Sequence, residues 1–100
     1  MKKRFLKTRP VCKVTFELPH AATRGAGKVA LVGEFNRWNT GSTLMTRRKD
    51  GSYSITIDLP ANREYQFNYL IDDTYWENDW SADSYRPNNL GDCENSVVVV

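Results

Sequence analysis

Residues 64–72, Glu-Tyr-Gln-Phe-Asn-Tyr-Leu-Ile-Asp (EYQFNYLID), alternate strictly in side-chain character. At a two-residue period Tyr65, Phe67, Tyr69 and Ile71 fall on one face, with Gln66, Asn68 and Leu70 on the other. A strand this rich in aromatic and branched residues, with one face wholly apolar, has to be laid on a core. Upstream, "VCKVTFEL" (residues 11–18) repeats the pattern with Val14, Phe16 and Leu18, and stops at Pro19-His20. "YSITIDL" (residues 53–59) does so again and stops at Pro60, just after Asp50-Gly51, a hairpin-turn pair. "KVALV" (residues 28–32) is a short run of a fully buried type, leaving through Gly33. Weaker strands are read at residues 43–48 and at Tyr75-Trp76, and a closing one at residues 95–100. Residues 78–93 read as a polar loop. No window of ten residues carries a helical period. Six to eight short strands separated by turn signals predict an all-β protein, an immunoglobulin-like antiparallel β-sandwich without the Cys-Trp-Cys core of antibodies.

Length and composition set the limits. One hundred residues suffice for one sandwich core, not for a core plus a catalytic lobe. Residues 11–100 are therefore expected to be a single domain. Residues 1–10 hold Lys2, Lys3, Arg4, Lys7 and Arg9 and are expected to be a basic, flexible tail. The formal charge of +2 is too small to indicate a polyanionic partner, and the basic residues lack interleaved aromatics, so no nucleic acid is expected. Acidic residues gather in the last third, and would offset the basic end if the two lie side by side. Phe5-Leu6 is too short for the apolar core of a signal peptide, and no window reaches the ~20 apolar residues of a membrane span. The expectation is a cytoplasmic protein without a membrane partner. Cys12 and Cys93 have no metal-type spacing; a reducing compartment favours free thiols, although a sandwich could bring the two chain ends within bonding reach.

Catalytic and metal chemistry find little footing. His20 is the single histidine, which rules out a multi-histidine metal site or a histidine-based triad; beside Pro19 in a loop it reads as an exposed bystander. Asp79, Ser81, Asp83 and Tyr85 are spaced like the start of a calcium loop, but Ser84 or Arg86 stands where glycine is required and Leu90 where a bidentate glutamate is required. "RGAGK" lacks the end of a phosphate-binding loop. No cofactor is expected.

Aromatic and amide residues at strand ends are left over. Trp38 in "GEFNRWN" follows the buried run at residues 28–32, while Trp76 and Trp80 follow the long strand. An indole stacks on the apolar face of a pyranose ring, and Asn or Asp beside it bonds the hydroxyls. Asn36, Asn39 and Asn68 are candidate polar partners. Loop tryptophans can equally close the end of a sandwich.

Together, "KVALVGEFNRWN", "DGSYSITIDLP", "EYQFNYLIDDTYWEND" and "NNLGDCENSVVV" resemble carbohydrate-binding module family 48. That family includes the glycogen-binding domain of the AMP-activated protein kinase beta subunit and the early-set domains that precede isoamylases and branching enzymes. The resemblance covers residues 28–100. It implies an early-set, immunoglobulin-like sandwich, no catalysis, and α-1,4-linked glucan stacked on Trp38 and Trp76. Asn68 stands where the kinase domain has a lysine that reaches the sugar. Leu90 matches an inserting leucine; Asp92 and Glu94 replace a threonine and an asparagine, with Asn95 one step away. Trp80 stands in place of the usual proline and is a possible third platform. The implied site is thus Trp38, Trp76, Asn68, Leu90, Asn95, Asn36 and Trp80. The alternative function is a protein-interaction or scaffold domain that kept the fold without a working sugar site. Implied partners are an α-glucan and a separate glucan-active enzyme or another protein.

Overall fold

The computed structural model describes residues 1–88 and 93–100. Among the described residues nine strands run in chain order: β1 (Lys2–Phe5), β2 (Val11–Leu18), β3 (Val29–Gly33), β4 (Thr46–Arg47), β5 (Tyr53–Pro60), β6 (Glu64–Ile71), β7 (Tyr75–Glu77), β8 (Ser84–Pro87) and β9 (Glu94–Val99). They form two antiparallel sheets, one in the order β1-β2-β5-β4 and the other β3-β6-β9-β8, with β7 on the free part of the β6 edge. The β-sandwich expected from the alternation is the architecture found. None of the described segments is a helix long and apolar enough to cross a membrane.

The core forms where the apolar faces of the two sheets meet. Cys12, Val14, Phe16 and Leu18 from β2 pack against Tyr65, Phe67, Tyr69 and Ile71 from β6, with Leu31 and Val98 beside them. The Phe16 and Phe67 rings meet edge to face with centroids 4.9 Å apart, a preferred arrangement for aromatic quadrupoles. Tyr69 is fully buried, yet its hydroxyl donates to Asp79 Oδ2 at 2.7 Å, so the apolar layer holds a satisfied polar group. Burial, reinforced by the Asp79 carboxylate, drives the Tyr69 phenol pKa far upward, and it stays a donor.

Residues 43–47 tie the two layers together. The Leu31 N–H donates to Thr43 O and the Met45 N–H to Val29 O, which adds this stretch to the β3 edge. From the very next residue, Thr46, β4 has crossed over to pair with β5.

Two segments differ from expectation. Residues 1–10 were expected to be a tail, but Lys2–Phe5 pair with residues 12–15 of β2. All four residues of β1 are exposed, so no apolar face announces the strand, and backbone pairing builds it; lysines on an edge strand also discourage further pairing. In the stretch expected to be a polar loop, Ser84–Pro87 pair with β9. There too the side chains are mostly exposed, and Pro87 is tolerable because the strand is an edge. Cys12 is buried and Cys93 exposed, and both are free thiols.

Candidate functional site

The loop that empties from β3 is built around Asn36. Its Oδ1 accepts the Gly33 N–H at 3.0 Å, and its Nδ2 donates to Leu31 O at 2.9 Å and Thr43 Oγ1 at 3.1 Å. Glu34 Oε1 accepts the Gln66 N–H at 2.6 Å, while Phe35 turns inward, its ring centroid 5.7 Å from that of Phe16. Gly33 is required by crowding: a Cβ there would lie 2.6 Å from Gln66 O and 2.7 Å from Phe67 Cβ. The chain then passes through two consecutive left-handed residues, Arg37 (φ 56°) and Trp38 (φ 59°), and the Trp38 N–H closes onto Gly33 O at 2.9 Å. Each left-handed residue costs roughly 1–2 kcal/mol, a strain that persists because bonds on every side determine the loop. The outcome is a fixed backbone carrying an indole that is 39% exposed.

Strand register places Trp76 on the outer face of the second sheet. Leu44 opposes Ala30, Ala30 opposes Leu70 and Leu70 opposes Trp76, making one row across the sheet. Ala30 and Leu70 are buried in the middle of the row, while Leu44 (50%) and Trp76 (53%) are exposed at its ends. The next row holds Val32 opposite Asn68. Beyond it comes Gly33, to which the Trp38 backbone is tied. Ala30 and Gly33 are three strand steps apart, roughly 10 Å at the usual rise. A ligand touching both the Trp76 row and the Trp38 loop would have to span about that distance.

The expected polar partners differ from the tryptophans. Asn68 is only 7% exposed. Its Oδ1 accepts from Asn78 Nδ2 at 2.9 Å and from Ser96 Oγ at 3.1 Å, and its Nδ2 donates to Asn95 Oδ1 at 2.9 Å. Asn95 Nδ2 in turn donates to Gln66 Oε1 at 3.1 Å. Asn36 and Asn68, expected as hydroxyl partners, are instead committed to the protein's own hydrogen bonds and act as positioning residues. Asn95 belongs to the same network but remains half-buried at its border. Asn39 Oδ1 accepts the Gly41 N–H in its own turn. Leu90 and Asp92 lie outside the described residues. Trp80 is 56% exposed but stands apart from the row: its neighbours are Asp79, held inward by Tyr69, and Ser81. Leu44, the far end of the row, was missed, because its pairing to Ala30 is an isolated bridge that no periodicity announces.

Other features are structural. His20 is exposed, as expected, but it also packs on Gly51, whose Cβ, if present, would overlap the imidazole, so the histidine braces the Asp50-Gly51 turn. Among the described residues no group of three or more His, Cys, Asp or Glu side chains is placed to hold a metal ion.

A family model described as the glycogen recognition site of AMP-activated protein kinase matches residues 13–100. The chain belongs to that family. It is also 45% identical over 51 residues to an alpha-amylase of Niallia circulans. That match takes in 48% of this chain and 4% of the amylase, so the chain spans a small fraction of that protein's length. Membership in a glycogen-recognition family gives the chain a carbohydrate-binding role, and the resemblance seen in the motifs holds.

Proposed function

We propose that the outer face of the second sheet binds a strand of α-1,4-linked glucan without catalysis, with Trp38 and Trp76 as stacking platforms. The observation that carries this reading is an exposed Trp76 at the end of an outer-face row, with a second exposed indole, Trp38, on a loop tied to Gly33 of the same sheet, in a glycogen-recognition family member. Ala30, Val32 and Leu70 lie buried beneath this face, and Asn95, half-buried at the rim of the amide network, is the candidate hydroxyl partner. If each indole contributes roughly 1–2 kcal/mol, as stacked bases do on aromatic side chains, affinity for a short oligosaccharide lies in the range of about 10 μM to 1 mM. A polymer raises the effective affinity by offering many equivalent segments. In this role the module holds glucan for a glucan-active enzyme, whether in the same chain or a separate one. Free thiols suit the reducing cytoplasm, which we propose as its compartment.

Intrinsic tryptophan fluorescence titrated with maltoheptaose tests the reading, alongside Trp38→Ala and Trp76→Ala variants shown by circular dichroism to be folded. A saturable change that is lost in both variants is expected. No change up to about 10 mM ligand, below any useful single-site affinity, overturns it. A second reading, a protein-interaction domain, has its own observation in the committed amides: with Asn36 and Asn68 bonded internally, an exposed row ending in Leu44 and Trp76 could meet an apolar protein surface. In that case maltoheptaose would be silent while the row still mattered for partner binding.

A further inference from the structure

A cleft of about 450 Å³ lies away from the Trp76 row, between the end of β2 with the Asp50-Gly51 turn on one side and residues 79–81 on the other. Adjacent residues separate the two regions. Asn78 sends its side chain to Asn68 in the outer-face network, while Asp79 turns inward to Tyr69. The chain has passed from one side of the sheet to the other before it reaches Trp80. That indole, 56% exposed, then lines the cleft with Glu17, His20, Arg48 and Asp50. The volume falls within the roughly 300–1,000 Å³ typical of small-ligand sites.

The cleft carries charges of both signs, Lys2 and Arg48 against Glu17 and Asp50, with Met1 beside them. Glu17 Oε2 holds Arg48 at 3.1 Å. Asp50 Oδ1 accepts the Ser52 N–H at 2.9 Å and its hydroxyl at 2.6 Å, which holds the Asp50 carboxyl below the ordinary carboxylate range. Glu17 and Asp50 each keep a second oxygen as acceptor, and Ser81 adds a hydroxyl that can donate or accept. A lining that mixes both signs favours neither a strongly anionic nor a strongly cationic ligand. An exposed indole over a floor of mixed donors and acceptors suits a neutral polyhydroxylated ring.

We propose that this cleft is a second carbohydrate site, in which a short neutral glucan segment stacks on Trp80 and bonds Glu17, Asp50 and Ser81. The ligand class rests on the glucan reading above, but the site is independent of the outer face. With a platform on each side of residues 76–80, one module could engage two strands of a branched polymer, with the avidity this brings.

The three indole Nε1–H signals in a proton–nitrogen NMR spectrum, assigned with single Trp→Phe variants, report each site separately during a maltotriose titration. The expected result is a saturable shift of the Trp80 signal that persists in Trp76→Ala, and, read from the Ser81 backbone amide on the same cleft, a weakening of that site by about tenfold or more in Trp80→Ala, the size of a lost stacking contact. Trp80 is a surface residue, so this variant keeps its core. A Trp80 signal that stays still while Trp38 and Trp76 shift overturns the second site and leaves the outer-face reading intact. A Trp80 shift abolished by Trp76→Ala reduces the two sites to one and overturns the proposal as well. Movement of Trp80 alone supports the cleft and overturns the outer-face reading.

Discussion

At the scale of single residues, the tryptophan loop depends on an amide that never has to touch sugar. Asn36 satisfies a backbone donor, a backbone acceptor and a hydroxyl in one reach, and its neighbours Arg37 and Trp38 sit in a strained region of backbone space. Asn36→Ala leaves the Gly33 N–H and the Leu31 carbonyl without their partner, at a cost of about 2–4 kcal/mol. Urea denaturation should show this as a lower midpoint at unchanged slope, and a stability equal to wild type would refute the bracing role. The exposure of the three tryptophans was legible before any coordinates, because a tryptophan just past a buried strand has few places to hide. The role of the asparagines was not. An amide beside a tryptophan looks the same in sequence whether it bonds a ligand or the carbonyl of residue i−5, and only the backbone path through left-handed Arg37 decides between them. Asn68 misled for a related reason. Alternation correctly put it on the outer face, but Asn78, Asn95 and Ser96, distant in sequence, consume its hydrogen-bonding capacity there.

At the scale of elements, strands with an apolar face declared themselves and strands without one did not. β2, β5 and β6 alternate because one side of each meets the core; β1 and β8 are edges held through the backbone, so their side chains carry no period. The β6–β7 hairpin shows how an element can be correct and still improvable. Its turn places Asp72 (φ 50°) and Asp73 (φ 55°) in succession in the left-handed region, and the Thr74 N–H returns to Ile71 O at 2.9 Å. That conformation favours glycine, above all in Asp-Gly order. Asp72 is needed where it is, since its Oδ1 accepts the Gly27 and Lys28 N–H groups at 3.0 and 2.9 Å. Asp73 offers only an exposed ion pair with Lys28, of a kind worth little. Asp73→Gly is therefore expected to stabilise the protein by roughly 0.5–1 kcal/mol and raise its thermal midpoint, the gain from relieving a left-handed aspartate slightly exceeding the lost ion pair. A drop in the midpoint would show that the Lys28 pair matters more than its exposure suggests. Because the change relieves strain in the turn without altering the β6–β7 pairing that places Trp76, glucan affinity should stay unchanged.

At the scale of the whole molecule, the basic start of the chain and its acidic last third meet, and one carboxylate fastens them. Asp83 Oδ2 accepts from Lys3 Nζ at 2.6 Å and from the Val99 N–H at 2.7 Å, joining the β1 edge of one sheet to the β9 strand of the other. Partial burial alone would raise the Asp83 carboxyl, but the Lys3 and Val99 bonds outweigh it and hold the group below its ordinary value. Its folded pKa is thus lower than the roughly 3.9 of an unfolded aspartate, so its stabilising contribution is fully present above that value and fades as pH falls through the folded pKa. Asp50, also depressed, titrates in the same direction, which makes the acid limb of the wild type alone ambiguous. The comparison with Asp83→Asn removes that ambiguity. The difference in unfolding free energy between wild type and Asp83→Asn should be constant above about pH 5 and shrink below about pH 3.5, as the wild-type carboxyl takes up its proton. Amide exchange in residues 2–5 should quicken in the variant already at neutral pH, because β1 is an exposed edge whose side-chain tie to the second sheet runs through Lys3. A stability difference that persists undiminished to pH 2 would mean that Asp83 acts through its shape and neutral hydrogen bonds, and that charge does not close the sandwich at this edge.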